Sequence, residues 1–276
     1  MARKIPTYDD YPQIGRLRLD PALALANSDP LLIRRGLVNG ASVVHKFGRN
    51  PAVPNGSWEG ILTAAAQFVW PTTATTVRIK SGGNSADNGA SSPLGAGAHT
   101  VTVQGLDATG VEVSATLTTA GASASASTTQ TFLRVYRAWV ATAGAYTGTN
   151  TGNVVIETTA GTALIQITAG EGQSQYCAYT IPLGKTGYLA SVTVQVDASK
   201  AADFRLFTRA SMTTITAPFL AKRVKFYWDG VLGAETIKPL TPFQTLPALT
   251  DIWIEARGGG AITEATADME IILFDD

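Results

Sequence analysis

The sequence predicts an all-β protein: antiparallel, jelly-roll-like β-sandwich domains behind an extended N-terminal arm that contains one or two short helices. Three observations carry this expectation. From Tyr188 to Val196 every second residue is apolar (Tyr188, Ala190, Val192, Val194, Val196), against Leu189, Ser191, Thr193, Gln195 and Asp197. That period of two belongs to a sheet with one buried and one wet face. Short strand-like runs recur about every 8–15 residues between Gly-, Asn-, Asp- and Pro-rich turns. Only 15% of the 276 residues are charged while 45% are hydrophobic; Thr, Ser, Ala and Gly fill the difference, which suits strands and turns better than long solvated helices.

The bulk numbers narrow the function classes. A chain of 28.8 kDa is long enough to bury one or two cores. Its formal net charge is zero and its pI is about 6.7, so no overall field draws it to nucleic acid or to a membrane. The lone cysteine, Cys177, excludes an internal disulfide and a cysteine-cluster metal site. Its place in a predicted strand makes it a buried, inert thiol. No apolar run reaches the length of a membrane span, and the opening MARKIPTYDDYPQ lacks the apolar core of a signal peptide, so synthesis and folding in a cytosol are expected.

Residues 1–56 are predicted to be the arm. They hold eight basic residues against four acidic ones. Asp20-Pro21 and Asp29-Pro30 each place a capping carboxylate before a proline suited to the first helical position. The second pair leads into Leu31, Leu32 and Ile33, then Arg34-Arg35-Gly36, with cations in the last turn and glycine at the stop. The arm has too few apolar residues for its own core, so these side chains pack on its own sheets or on a neighbouring subunit. Leu31, Leu32, Ile33, Arg34, Arg35 and Arg49 are therefore the candidate partner-binding set. A solvated tether is the plainer alternative, because the basic residues form no periodic stripe.

A first sandwich is expected over 57–170, with strands at Thr76–Lys80, Thr100–Val103, Val111–Leu117, Thr131–Val140, Val154–Thr158 and Leu164–Thr168. Only six residues between Ser81 and Gly170 are charged, and a broad, weakly charged sheet face fits contact with other proteins. A second sandwich is expected over 171–276. It opens with three consecutive antiparallel strands between Tyr176 and Ala210, turning at Pro182–Gly184 and Asp197–Lys200. Arg223–Trp228, Ala234–Lys238, Asp251–Ala256 and Ala267–Phe274 follow, with Pro239, Pro242 and Pro247 marking a loop. One composite sandwich over both halves is the alternative division.

Sites for chemistry are sparse in the sequence. Gly184-Lys185-Thr186 resembles the tail of a phosphate loop, but Tyr179 stands where that loop needs its first glycine, so a turn is expected. His45 and His99 have no ligand partners at short spacing, and structural or surface roles are expected. Asp87-Asn88 lies in a Gly/Asn/Ser loop that offers a weak calcium reading and lacks the twelve-residue calcium loop. Carboxylates on predicted strands (Glu112, Glu157, Asp251, Glu255, Asp268, Glu270) are read as solvating sheet faces, with Glu255 and Glu270 on outer, wet positions. The tryptophans are read as core residues and anchors between layers, not as a sugar or single-strand platform. No cofactor, no metal and no enzymatic activity are expected.

Several passages together resemble virion structural proteins of tailed bacteriophages, especially aquatic ones. They are VVHKFGRNPAVPNGSWEGI at 43–61, GAGAHTVTVQGLD at 95–107, FLRVYRAWVATAG at 132–144, YTIPLGKTGYL at 179–189, and the closing DIWIEARGGG and ADMEIILFDD. The likeness spans about residues 30–276. It implies a capsid-decorating or tail-associated β-sandwich protein, acting as a homo-oligomer, often a trimer, with no enzymatic residues. The expected role is a capsid decoration (cement) protein of the virion, with the major capsid protein or another virion protein as partner and no nucleic acid or membrane. Alternatives are a tail, collar or fibre-attachment adaptor or receptor-binding head, and a glycan-binding or glycan-cleaving module, since sandwiches host both.

Overall fold

The computed structural model describes residues 30–63, 67–197, 199–237, 244–260 and 262–276. The chain order is α1 (Pro30–Arg34), β1 (Ala41–Val53), β2 (Glu59–Gly60), β3 (Thr75–Ile79), β4 (Ala98–Leu106), β5 (Glu112–Thr118), β6 (Thr131–Phe132), β7 (Arg134–Ala143), β8 (Val154–Thr158) and β9 (Ala163–Ile167). It continues with β10 (Ala178–Thr180), β11 (Lys185–Val196), β12 (Ala201–Arg209), β13 (Arg223–Leu232), β14 (Ala234–Ile237), β15 (Thr245–Leu246), β16 (Asp251–Gly258) and β17 (Thr263–Asp275). The fold is all-β and antiparallel, with sheets packed as sandwiches. The first of the two predicted arm helices, at Asp20-Pro21, lies outside the described residues, as do Pro239 and Pro242.

Four sheets share the work. Sheets β6-β3-β8-β9 and β5-β4-β7 come from the middle of the chain. Sheets β1-β17-β11-β14, with β15 also on β11, and β10-β16-β12-β13, with β2 also on β16, come from its two ends. One apolar core runs through all of them, from Val77, Val103 and Ile156 to Val192, Leu206, Ile254 and Ile271.

The arm requires a correction. Residues 41–53 are a thirteen-residue strand, β1, paired along its length with the C-terminal strand β17, from Ala41 opposite Phe274 to Asn50 opposite Ala265. Val53 at its end aside, the buried positions of β1 are Lys46, Gly48 and Asn50, which is why no apolar alternation announces it. Each has a specific reason to be there. Lys46 Nζ donates to the Tyr136 carbonyl. Asn50 Nδ2 donates to Glu59 Oε2 at 3.0 Å and to the Gly60 carbonyl at 3.1 Å. Gly48 permits close approach, since a Cβ there would lie 2.2 Å from the Ile61 carbonyl oxygen and 2.6 Å from the Cys177 nitrogen.

The three strands between Tyr176 and Ala210 exist, but they do not pair with one another. β10 and β12 both pair β16, while β11 lies in the other sheet beside β17. The chain thus crosses between layers at each turn. The predicted single apolar face of β11 is also split. A register shift between Leu189 and Ser191 puts Leu189 in the main core, with Val192 and Val194. Tyr188 and Ala190 face the other side, where Tyr188 meets Phe274 edge-on at 5.8 Å.

Candidate contact face of the second sandwich

The outer face of β12 and β16 is built by strand alternation. Ala202, Phe204, Leu206 and Thr208 point into the core with Ile252, Ile254 and Ala256. The intervening residues oppose one another as matched pairs: Asp203 with Arg257, Arg205 with Glu255, Phe207 with Trp253, and Arg209 with Asp251. Every cross-strand pair joins opposite charges or two aromatic rings, the combinations that favour strand pairing.

The segment before β3 lies over this ladder and takes much of it out of water. Arg205 sits 4.0 Å over the Trp58 ring, Arg257 4.9 Å over the same ring, and Trp70 packs 5.2 Å from Trp253. Phe207 and Trp253 stack at 5.4 Å, with Lys222 Nζ 4.3 Å over Phe207. Three of the five tryptophans therefore share one aromatic face, contrary to the scattered pattern in the sequence. Their positions 58, 70 and 253 converge only through the tertiary fold.

All three carboxylates on the ladder, Asp203, Asp251 and Glu255, are buried, against the expectation of a solvated sheet for Asp251 and Glu255. Glu255 accepts from Trp253 Nε1 at 2.9 Å, Arg205 Nη2 at 2.6 Å and Lys222 Nζ at 3.2 Å. Burial alone would raise its carboxyl pKa, but the hydrogen bonds from Trp253 and Arg205 and the charge of Lys222 outweigh this and hold it below the usual range. A carboxylate so saturated with donors is held ionised, a poor general acid. Asp251, with no solvent exposure, accepts from Arg134, from Thr180 Oγ1 at 2.7 Å and from Arg209 Nη2 at 2.7 Å. Glu157, also expected to be solvated, is buried off the ladder and paired with Arg78 at 2.9 Å.

A cavity of about 330 Å³ opens on this face between Gln67, Phe68, Trp70, Leu220, Lys222 and Trp253. Beside it, the stretch 215–227 exposes Ile215, Phe219, Leu220, Val224 and Tyr227, each 42–52% accessible. A second cleft, of about 460 Å³, contains Lys46, Glu112, Tyr136 and Tyr179. Burial lowers the Lys46 pKa to about 7.

The residues singled out on the arm go elsewhere. Ile33 is buried with Tyr188, Ile272 and Phe274 on the outer side of β11 and β17, so it presents no surface to a partner. Arg34 pairs with Glu270, and Arg49 holds Glu264 through two hydrogen bonds of 2.7 Å. Leu32 is 37% exposed and Arg35 is exposed, while the Leu31 side chain lies outside the described residues. None of the five whose side chains are described lines the aromatic cavity. Cys177 is fully buried, and burial pushes its thiol pKa up. The Asp87 carboxylate accepts from the backbone nitrogens of Ala98, Thr151 and Gly152, each at 2.8 Å; its oxygens staple two loops, which replaces the calcium reading. No group of three or more metal-ligating side chains occurs among the described residues, and no helix there is long and apolar enough to cross a membrane.

No family model matches the sequence, and no curated protein matches it. Among solved structures the chain is similar to one in the structure of infectious bursal disease virus Gx strain. Identity is 8%, coverage is 85% of this chain and 72% of that one, and the TM-score is 0.25, too low a likeness to carry an argument.

Proposed function

We propose that this chain is a structural protein of a virus particle, working by contact, and within that class a bacteriophage capsid decoration protein that binds the assembled shell as an oligomer. The sequence resemblance to tailed-phage virion proteins supports this reading. The structural observation that carries it is the run of exposed apolar side chains over 215–227, set beside a rigid ladder whose charges cancel in pairs. Soluble proteins rarely leave such side chains grouped on a surface unless another protein covers them. The docking surface is thus this stretch, with Phe219 and Leu220 at its centre, in place of the arm residues. Burying each such side chain on a shell contributes about 1.5–3 kcal/mol, repeated at every copy. Quantitative mass spectrometry of purified particles tests the reading: decoration predicts a copy number comparable to that of the capsid subunit. A few copies per particle would move the chain to the tail or collar, and absence from particles would end the proposal.

The aromatic cavity favours a second reading, a glycan-binding receptor head. Phe68, Trp70 and Trp253 supply ring faces and edges, and Gln67 and Lys222 supply hydrogen bonds, as a sugar ring requires. Binding of host-surface oligosaccharides that is lost in Gln67→Ala and Lys222→Ala supports it; no binding in the unaltered chain rejects it.

A further inference from the structure

Strand β5 forms one edge of the β5-β4-β7 sheet. Its seven residues pair with β4 in unbroken register, from Glu112 opposite Leu106 to Thr118 opposite Thr100. No backbone hydrogen bond from the described residues reaches its outer edge. An unpaired row of amides and carbonyls is a template for another strand, and proteins usually blunt it with bulges, lysines or prolines. The other long edges follow that rule. β13 has two register shifts along β12 and exposes Lys225 and Asp229. β1 carries Pro51 and is partly covered where the Tyr176 nitrogen donates to the Phe47 carbonyl. β5 has neither device. Its one charge, Glu112, is committed to Gln104 Nε2 at 2.9 Å and to the Tyr136 hydroxyl at 2.7 Å.

The sequence of this edge is self-complementary. In antiparallel pairing centred on Ala115, Val113 faces Leu117 of a second copy, Ser114 faces Thr116, and Ala115 faces itself. Apolar residues meet apolar residues, hydroxyls meet hydroxyls, and neither strand brings an uncompensated charge to the other. Val113 and Ala115 are only half-buried at the rim of the core, so an added strand would complete their cover. We infer that β5 is a two-fold interface, joining a second copy of this chain edge to edge into a continuous six-stranded sheet. This differs from the three-fold oligomer that the sequence resemblance implies, and it does not rest on the virion reading. A chain absent from particles can still pair through β5, and a chain that fails to pair can still sit on a capsid.

Light scattering coupled to size exclusion on the full chain gives the first result, with twice 28.8 kDa expected. The variant Ser114→Lys/Thr116→Lys brings lysine opposite lysine at two places across the axis and is expected at the one-chain mass. Ser114→Glu/Thr116→Glu is expected at the one-chain mass too, and mixing the two is expected to restore the two-chain mass. A cysteine read-out fixes the register should either charged variant fail to fold. Ala115→Cys stands opposite itself at a strand-pair Cα separation within reach of a disulfide and is expected to cross-link under mild oxidation. Thr118→Cys, opposite Glu112 of the second copy, is not, and buried Cys177 stays silent. A one-chain or three-chain mass for the unaltered protein, a two-chain mass that survives in both charged variants, or no cross-link at Ala115→Cys would overturn the inference.

Discussion

Arg134 on β7 and Asp251 on β16 form a two-toothed ion pair, Nε to Oδ1 at 3.0 Å and Nη2 to Oδ2 at 3.2 Å, with both side chains buried. Arg134 also donates to the carbonyls of Pro71 at 3.0 Å and Leu133 at 2.9 Å, and lies 5.2 Å over the Trp70 ring. The pair joins a mid-chain sheet to a sheet built from the chain ends, so two layers distant in sequence share one polar joint. Thr180 and Arg209 complete the shell of Asp251. A buried pair is stable only when its remaining donors and acceptors are filled, as these are.

Removing one partner should therefore be costly. Arg134→Met is expected to lower the unfolding free energy by about 3–5 kcal/mol, because Asp251 is left buried with part of its shell gone. Lys185→Ala, which breaks the solvent-exposed pair with Asp275, is expected to cost about 1 kcal/mol or less. Urea denaturation of the two variants side by side measures the difference.

Lys46 predicts a pH dependence. Its pKa falls from 10.5 to about 7 on folding, chiefly through burial. Between these values the unfolded chain holds a proton on Lys46 that the folded chain lacks, so stability rises with pH, by up to about 1.4 kcal/mol per unit. Below the folded value both states are protonated and this contribution is flat at its least favourable level. Denaturation midpoints at pH 7 and pH 9 should show the rise, and Lys46→Met should remove this part of it.

The first helix separates packing from charge. Ile33→Ala is expected to cost about 2 kcal/mol or more and to free α1 from β11 and β17, as loss of a buried aliphatic group does. Arg34→Ala removes a half-exposed pair with Glu270 and is expected to cost about 1 kcal/mol or less. Amide exchange in residues 30–40 reads out both.

Gly48→Ala tests the close approach of β1 to the core. The added methyl would meet backbone atoms of Ile61 and Cys177, which cannot swing away as a side-chain end can. The variant is expected to lose cooperative unfolding or soluble expression altogether. Retention of the normal melting curve would contradict the packing of β1 described above.

The strands between residues 75 and 167 were legible because Val77, Val101, Val103 and Ile156 stand in ordinary apolar alternation among turn residues. β1 was not, because the buried positions in its middle are lysine, glycine and asparagine. The split of β11 also escaped the pattern: a bulge near Ala190 changes which face is buried, and it leaves no mark in a period-two count. The contact face was hidden for another reason. Trp58, Trp70 and Trp253 look unrelated along the chain, and Glu255 reads as solvated until the segment before β3 is laid over it. A period of two shows which residues share a face, but not what covers that face.

The most direct measurement adds purified chain back to particles that lack it and follows binding together with the temperature at which the shells release their contents. The account predicts saturable binding at capsid-like stoichiometry, a higher release temperature, and loss of both in Phe219→Ser/Leu220→Ser with its fold intact. Shells that bind none of the chain, or bind it and open at an unchanged temperature, would contradict it.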